Sequence, residues 1–211
     1  AFDGDADRLI AVDELGRIVD GDRIMYICAK MLKDRGELPF DLVTTTVMSN
    51  LGFHRAIEAL GLRADITQVG DRYVLERMLD TGCVLGGEQS GHIIFRKHTT
   101  TGDGILSALQ LLQACRMDGR PLSTMADDVV LYPQVLKNVK VRNENKKYLD
   151  KDREVAHAIS EAEQKLGRNG RILIRPSGTE PLVRVMIEGE KLDEIEMMAE
   201  TLARLIARNL G

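Results

Sequence analysis

The sequence has no tryptophan, and aromatic residues make up only 4% of its 211 residues. It has no apolar run long enough to span a bilayer, and it does not open with the charged and then apolar pattern of a signal peptide, so we expect no membrane association. It also lacks an excess of basic residues, because the net charge is −4 at pH 7. This charge offers no electrostatic footprint for nucleic acid or for an acidic membrane surface.

Cysteine is scarce as well. The three cysteines, Cys28, Cys83 and Cys115, are odd in number and far apart, so they form neither a disulfide framework nor a zinc-site spacing. All three lie in apolar stretches, which predicts that they are buried packing residues. The lack of a disulfide pattern favours the reducing cytoplasm as the location.

What the sequence does have is the composition of an ordinary globular protein, with 44% hydrophobic and 29% charged residues. A chain of 211 residues can bury a substantial core and form one or two domains. It opens on Ala1-Phe2-Asp3, without an initiator methionine and directly in a polar motif. We therefore expect a fragment of a longer protein, whose function needs residues outside this chain.

The first part of the chain alternates short strands and helices. Residues 8–20 are predicted to form a hairpin, residues 22–35 a helix, and the alternation continues to residue 117. This order is typical of an α/β domain. The last helix of the series, residues 101–117, is expected to turn one apolar face inward, formed by Ile105, Leu106, Leu109, Leu112 and Ala114.

The pattern changes near residues 129–133. A strand (135–141), a long polar helix (150–166), two strands within residues 171–187 and a closing helix follow. The predicted fold class is α/β, with a mixed-sheet α/β domain followed by a smaller α+β C-terminal domain. The closing helix is expected to place these side chains on one face: Leu192, Ile195, Met198, Leu202, Leu205 and Ile206.

The first of three polar segments is residues 3–8 (DGDADR), called here the acidic loop. Alternate carboxylates project toward the same side, and the small Gly4 and Ala6 let the backbone bend around one ion. Oxygen ligands suit Mg²⁺, and a solvated acidic turn is the alternative. A calcium-binding EF-hand loop is disfavoured, because Arg8 stands where that loop requires glycine and residues 9–12 continue as a strand.

The second segment is residues 86–92 (GGEQSGH), called the glycine loop, which directly follows a predicted buried strand. Ligands of α/β sheets gather beyond the carboxyl ends of strands. The Glu88 carboxylate can accept hydrogen bonds from two neighbouring sugar hydroxyls, and Ser90 can add another. A simple strand-connecting turn remains the alternative, and His92 taken alone is more typical of a structural histidine.

The third segment is residues 175–181 (RPSGTEP), called the arginine loop, between two apolar strands. A bidentate guanidinium from Arg175, two hydroxyls and a glycine-containing turn lie within a few residues, which suits a phosphate dianion. Arg184 on the following strand can add positive charge. The alternative is a tight turn that only closes a hairpin.

In this order, the three loops resemble the α-D-phosphohexomutase family over the whole chain. The acidic loop resembles the family's magnesium loop, the glycine loop its sugar-recognition loop and the arginine loop its phosphate-binding loop. The glycine loop, residues 69–74 (VGDRYV) and residues 100–104 (TTGDG) resemble the phosphoglucosamine mutase branch of the family.

The resemblance implies four domains around a central cleft. This chain would hold the end of domain 2 (residues 1–18), domain 3 (residues 19–128) and domain 4 (residues 129–211). The missing N-terminal domains carry the phosphoserine loop of the family, and no serine here matches it. The chain alone is therefore expected to be inactive.

The resemblance also implies an activity and a set of roles. The whole enzyme would interconvert glucosamine 6-phosphate and glucosamine 1-phosphate, through a phosphoserine and a glucosamine 1,6-bisphosphate intermediate, for UDP-N-acetylglucosamine and cell-wall synthesis. Asp3, Asp5 and Asp7 would hold Mg²⁺, and Arg8 would act in catalysis on the phosphoryl oxygens. The substrate-binding set would be Glu88, Ser90, His92, Asp71, Arg72, Arg175, Ser177, Gly178, Thr179 and Arg184.

Two other functions remain open from the sequence. One is a phosphomannomutase/phosphoglucomutase, because no residue can be assigned to recognition of a 2-amino group. The other is a non-catalytic fragment that binds a phosphosugar. The expected partners are the phosphosugar and the missing N-terminal domains of the same chain; a homodimer is compatible with the sequence, and neither nucleic acid nor membrane is expected.

Overall fold

A computed structural model describes all 211 residues and divides them into two compact units, residues 1–131 and residues 132–211. Each unit has its own hydrophobic core, formed by different residues. The first unit is a mixed-sheet α/β structure and the second a smaller α+β structure, so the predicted fold class is confirmed.

The first unit contains six strands and five helices. The strands are β1 (Ala11–Val12), β2 (Ile18–Val19), β3 (Leu42–Thr46), β4 (Arg63–Thr67), β5 (Leu85–Gly87) and β6 (Ile93–Phe95). The helices are α1 (Gly21–Asp34), α2 (Leu51–Ala59), α3 (Asp71–Thr81), α4 (Gly104–Asp118) and α5 (Leu122–Asp127), and a 3-10 turn covers Pro39–Asp41.

A four-stranded sheet organises this unit, with the strand order β4-β3-β5-β6. β3 runs parallel to both β4 and β5, and β6 returns antiparallel to β5. Helix α2 connects β3 to β4 and helix α3 connects β4 to β5, as parallel pairing requires. The carboxyl ends of β3 and β5 therefore lie at the same edge of the sheet, and the glycine loop begins there.

Helix α1 forms where the sequence predicts it. The Asp20 carboxylate caps its N-terminus by accepting the Arg23 N–H at 3.1 Å. Ile24, Ile27 and Met31 recur at helical spacing and are almost fully buried. Their burial places α1 across the main core.

Helix α4 is present, but the prediction of its inward face is wrong. Ile105, Leu109 and Leu112 are exposed by 59%, 59% and 64%. The helix instead buries Ser107 and Leu111, together with the correctly predicted Ala114. Apolar residues occupy most of its circumference, so their spacing does not select one face, whereas small residues let a helix approach its neighbours closely. Leu106 is partly buried against the core.

Two further details of the first unit differ from the sequence predictions. The short helix α5, which begins after Pro121, was not predicted. Cys28 and Cys83 are buried as expected, whereas Cys115 is only half-buried; all three are free thiols. None of the helices of the chain is both long and apolar enough to cross a bilayer.

The second unit contains the strands β7 (Gln134–Lys140), β8 (Gly170–Pro176) and β9 (Leu182–Gly189) and the helices α6 (Arg153–Leu166) and α7 (Leu192–Leu210). Two 3-10 segments cover Asn143–Lys151 and Gly167–Asn169. The antiparallel sheet has the order β7-β9-β8, with the hairpin of β8 and β9 at one side.

Helix α7 buries most of the face predicted for it. Ile195, Leu202 and Ile206 lie in the core, and Met198 and Leu205 pack against it. Leu192, predicted on the same face, is 50% exposed because it is the first residue of the helix, where the chain enters from solvent.

Candidate active site

The acidic loop turns back on itself at the start of the chain. The Ala6 N–H donates to the Asp3 carbonyl oxygen at 3.2 Å, and Ala6 adopts a left-handed backbone with φ of 57°. A non-glycine residue in this conformation costs about 1 to 2 kcal/mol, and strained positions of this kind cluster at functional sites. The Arg8 N–H closes the turn on the Asp3 carboxylate at 3.3 Å.

This turn brings the three carboxylates together. One oxygen from each of Asp3, Asp5 and Asp7 lies within 4.8 Å of the others. The Arg8 guanidinium is the cation beside them, with Nε 3.7 Å from Asp3 and 3.8 Å from Asp7. The three carboxylates and the one guanidinium together carry a net charge of about −2, which a divalent cation would neutralise.

Asp7 is the most perturbed of the three. Its Oδ1 atom is buried and has no hydrogen-bond partner. Burial, a hydrogen bond with Asp3 and the charge of Asp5 raise the pKa of the Asp7 carboxyl. A cluster of hard oxygen ligands with an unsatisfied buried member fits Mg²⁺. The acidic loop can therefore hold this ion with small side-chain adjustments.

The glycine loop forms the tip of the β5–β6 hairpin. Glu88 N–H donates to the His92 carbonyl oxygen at 2.9 Å, and Gly91 N–H donates to the Glu88 carbonyl oxygen at 3.0 Å. Gly91 has φ of 94°, and a Cβ there would lie 2.2 Å from the Leu9 carbonyl oxygen. A glycine is therefore required where this loop meets the chain that leaves the acidic loop.

The acidic loop and the glycine loop are neighbours. Arg8 and His92 form an isolated antiparallel bridge, and Leu9 N–H donates to the Gly91 carbonyl oxygen at 3.0 Å. The Ala6 carbonyl oxygen accepts the N–H of Gly104, the first residue of α4, at 2.9 Å. Backbone hydrogen bonds thus fix the cluster of carboxylates relative to Glu88.

Glu88 also reaches a third segment. Its Oε1 atom accepts the Gly70 N–H at 3.0 Å, immediately before α3. Asp71 and Arg72 follow at the exposed start of that helix, where Arg72 pairs with Glu76 at 2.8 Å. The structure therefore places Asp71 and Arg72 directly after Gly70, the hydrogen-bond partner of Glu88, but the Arg72 guanidinium points along α3 toward Glu76. Ser90 is exposed at the hairpin tip.

His92 lies inside the fold. It is 3% exposed, its Nε2 accepts the Gly102 N–H at 3.2 Å, and the same atom lies 3.4 Å from Asp7. A Cβ on Gly102 would collide with the imidazole at 2.4 Å. The ring is thus packed between the acidic loop and the segment before α4 in this structure.

The arginine loop, in the second unit, connects β8 to β9. The Ser177 N–H donates to the Leu182 carbonyl oxygen at 2.9 Å, and the buried Ser177 hydroxyl accepts the Glu180 N–H at 3.2 Å. The N–H groups of Gly178 and Thr179 have no hydrogen-bond partner at this exposed tip. Two adjacent unpaired N–H groups are suited to binding an anion.

Two arginines flank this tip. Arg175 and Arg184 stand directly opposite each other in the β8–β9 register. Burial and the positive charge of Arg184 lower the pKa of Arg175. Arg184 also pairs with Glu180 at 3.1 Å, and its Nε is buried without a hydrogen-bond partner. Like charges directly opposite destabilise a sheet, so a dianion would relieve their repulsion.

Residues 20–132 match the protein family described as "Phosphoglucomutase/phosphomannomutase, alpha/beta/alpha domain III". Residues 136–205 match "Phosphoglucomutase/phosphomannomutase, C-terminal domain". The chain belongs to the phosphoglucomutase/phosphomannomutase family. The resemblance to phosphohexomutases predicted from the three loops is confirmed.

Individual members of the family are similar over the whole chain. The chain is 54% identical over 211 residues to phosphoglucosamine mutase of Oceanobacillus iheyensis, and it covers 47% of that protein. The chain thus spans about half the length of the curated relatives that it matches.

Solved structures of similar proteins share the fold of this chain. Aspergillus fumigatus N-acetylphosphoglucosamine mutase in complex with GlcNAc-6P and magnesium matches with a TM-score of 0.80 at 22% identity, over 99% of this chain and 48% of that one. A variant of the same enzyme in complex with glucose 1,6-bisphosphate matches with a TM-score of 0.77 at 23% identity, over 98% and 47%.

The sequence of this phosphoglucomutase/phosphomannomutase family member did not predict that α1 closely approaches the glycine loop. Gly21 N–H donates to the Gln89 carbonyl oxygen at 3.0 Å, and a Cβ on Gly21 would lie 2.2 Å from the Glu88 carbonyl oxygen. It also missed Lys146, whose ammonium contacts the arginine loop. Gly21 stands at the start of the predicted helix, but its partner lies 68 residues away, and Lys146 lies in a polar run without a distinguishing pattern.

Proposed function

We propose that this chain is the C-terminal part of a phosphoglucosamine mutase, an isomerase that interconverts glucosamine 6-phosphate and glucosamine 1-phosphate through a phosphoserine and a 1,6-bisphosphate. The observation that carries the proposal is the hydrogen-bonded junction of the three-carboxylate cluster with the loop of Glu88. A cation site beside a hydroxyl-binding carboxylate is what phosphoryl transfer on a sugar requires. The 54% identity to a phosphoglucosamine mutase favours the amino sugar as substrate.

The acidic loop would bind the metal and position the phosphoryl group. Asp3, Asp5 and Asp7 would hold Mg²⁺, which supplies Lewis-acid stabilisation of phosphoryl oxygens when bound. Arg8, whose guanidinium already lies between two of these carboxylates, would donate to the phosphoryl oxygens. Magnesium in the A. fumigatus complex, at the same fold, supports this assignment.

The glycine loop would orient the sugar. Glu88 keeps one carboxylate oxygen on Gly70, so its other oxygen is available to a sugar hydroxyl, and exposed Ser90 can add a second hydrogen bond. Asp71 and Arg72 would border the same ligand from the start of α3. A sugar-binding role for His92 stays a prediction: the ring is buried, and its Nε2 atom accepts the Gly102 N–H.

The arginine loop would bind the phosphate that does not react. Arg175 and Arg184 supply charge, Gly178 and Thr179 supply unpaired N–H groups, and the hydroxyls of Thr179 and Ser177 can donate. Binding the distal phosphate in either orientation of the sugar would allow one site to serve both phosphorylation steps.

The wider context of the enzyme follows from the same proposal. The rest of the full-length protein would supply the phosphoserine and complete the cleft. The boundaries of the family domains at residues 18 and 128 stay predictions. Location in the cytoplasm and a homodimer also stay predictions.

The experiment that tests the proposal compares substrates. The full-length protein is assayed with Mg²⁺ on glucosamine 1-phosphate and on mannose 1-phosphate, with 31P NMR detection of the 6-phosphate products. We expect kcat/KM to be higher for glucosamine 1-phosphate. A preference for mannose 1-phosphate would instead identify a phosphomannomutase/phosphoglucomutase, and turnover of neither would favour a binding protein.

A further inference from the structure

Lys146 lies in the 3-10 segment Asn143–Lys151 and reaches the arginine loop. Its ammonium donates to the Ser177 carbonyl oxygen at 2.8 Å and to the Glu180 carbonyl oxygen. These two carbonyl groups stand on either side of Gly178 and Thr179, the residues with unpaired N–H groups. One side chain thus holds both ends of the turn that would bind phosphate.

The 3-10 segment is itself fixed in the second unit. Val141 N–H, just before it, donates to the Pro181 carbonyl oxygen at 3.0 Å. The Asn145 amide donates to the Leu210 carbonyl oxygen at 3.1 Å, and Leu149 is buried in the core. The Lys146 ammonium is therefore presented to the arginine loop from an anchored backbone.

The contacts of Lys146 engage two carbonyl acceptors of the loop and leave two of its N–H donors unpaired. A carbonyl oxygen that faces a phosphate repels it, whereas an N–H group attracts it. Lys146 occupies the carbonyl oxygens of Ser177 and Glu180, and the Ser177 hydroxyl occupies the Glu180 N–H. The Gly178 and Thr179 N–H groups lie between these two engaged carbonyl groups and stay unpaired, and the ammonium adds positive charge beside them.

We propose that Lys146 is a positioning residue for phosphate, which fixes the turn of the arginine loop so that the Gly178 and Thr179 N–H groups converge on the anion. This inference rests on the proposed function, because it assumes that the loop binds the phosphate of the substrate. Nothing in the sequence pattern around Lys146 indicates the role, since it lies in the polar run NENKK.

The test is a phosphate titration of the 211-residue chain, in which inorganic phosphate is added and the amide signals of Gly178 and Thr179 are followed by NMR. Lys146→Met removes the ammonium at similar length, and Lys146→Arg retains a cation that can donate to two carbonyl groups. Lys147→Met is the matched control, because the exposed Lys147 lies over the Tyr148 ring at 5.0 Å and does not contact the loop. Arg175→Ala tests the loop as a phosphate site.

We expect Lys146→Met to weaken phosphate binding about tenfold, and Lys146→Arg to recover most of the affinity. Lys147→Met should leave the phosphate affinity unchanged. If Arg175→Ala weakens phosphate binding and Lys146→Met does not, the arginine loop binds phosphate but Lys146 does not position it, and the inference is wrong. If neither variant changes phosphate binding, the loop is not the phosphate site and the proposed function loses that part.

Discussion

The carboxylates of the acidic loop converge because the backbone turns at Ala6, whose left-handed conformation brings the two ends of the loop together. The result is a concentration of negative charge that Arg8 neutralises only in part. The buried Oδ1 atom of Asp7 has no hydrogen-bond partner, and the Arg8 Nε atom lies 3.8 Å from it. A bound divalent cation would satisfy all three residues at once.

At the residue scale, we predict that Asp5→Asn in the 211-residue chain weakens Mg²⁺ binding at least about tenfold, since one of three charged ligands is lost. Isothermal titration calorimetry measures the affinity. Asp34→Asn removes an exposed carboxylate outside the loop and serves as the control. Equal Mg²⁺ affinity in both variants would contradict the assignment of the acidic loop.

At the scale of elements, loops that bear the candidate site are held by glycines at the starts of helices. Gly21 opens α1 against the glycine loop, and Gly104 opens α4 against the acidic loop, where a Cβ would lie 2.4 Å from the Arg8 carbonyl oxygen. These contacts join residues that are distant in sequence. They set the relative position of the two loops.

We predict that Gly21→Ala destabilises the first unit by about 1 to 3 kcal/mol, because its Cβ would have to displace the Glu88 carbonyl group. Gly4→Ala is the control, as a Cβ there meets nothing within 4 Å. Urea denaturation measures both free energies of unfolding. A Gly21→Ala variant as stable as Gly4→Ala would show that α1 does not constrain the loop.

A second element contact ties α1 to the end of α4. The Asp118 carboxylate accepts from Arg120 at 2.6 Å and from Lys30 at 3.0 Å. The Arg120 hydrogen bond, with Lys30 after it, lowers the pKa of the Asp118 carboxyl against the opposing effect of burial. Because the pKa is lower in the folded state, the stabilisation is present above the pKa of the unfolded chain and is lost as the pH falls.

We predict that Asp118→Asn lowers the free energy of unfolding by about 1 kcal/mol at pH 7 and that its difference from wild type shrinks below pH about 4. Denaturation curves over this pH range provide the measurement. Asp34→Asn, which removes the more exposed partner of Lys30, should have a smaller effect. A pH-independent difference for Asp118→Asn would contradict the charge-based explanation.

The sequence predicted most elements because local signals define them: alternation for the strands, helical spacing for α1 and α7, and glycine at their ends. It did not predict the inward face of α4, where Ile105 and Leu109 compete with Leu111 for burial. It located the three loops, since their residue types are unusual. It could not reveal the Gly21 and Lys146 contacts, because these depend on partners 68 and 31 residues away.

At the scale of the whole molecule, the chain has two cores and spans about half of its curated relatives. The candidate metal and sugar loops lie in the first unit and the candidate phosphate loop lies in the second. None of the three loops contains the phosphoserine that the proposed mechanism requires.

We therefore predict no mutase turnover by the 211-residue chain alone, even when Mg²⁺ and glucose 1,6-bisphosphate are supplied. A coupled assay on glucosamine 1-phosphate measures it, with the full-length protein as the positive control. Turnover by the 211-residue chain would mean that the phosphoryl acceptor lies within these residues.

The most direct test of the central claim is the conversion of glucosamine 1-phosphate to glucosamine 6-phosphate by the full-length protein, followed by 31P NMR, in wild type and Asp5→Asn. Circular dichroism establishes that both are folded. We predict Mg²⁺-dependent conversion by wild type. Conversion by Asp5→Asn should be at least a hundredfold slower, which corresponds to an activation barrier higher by about 3 kcal/mol. Equal rates in the two proteins, or conversion unaffected by removal of the metal, would contradict it.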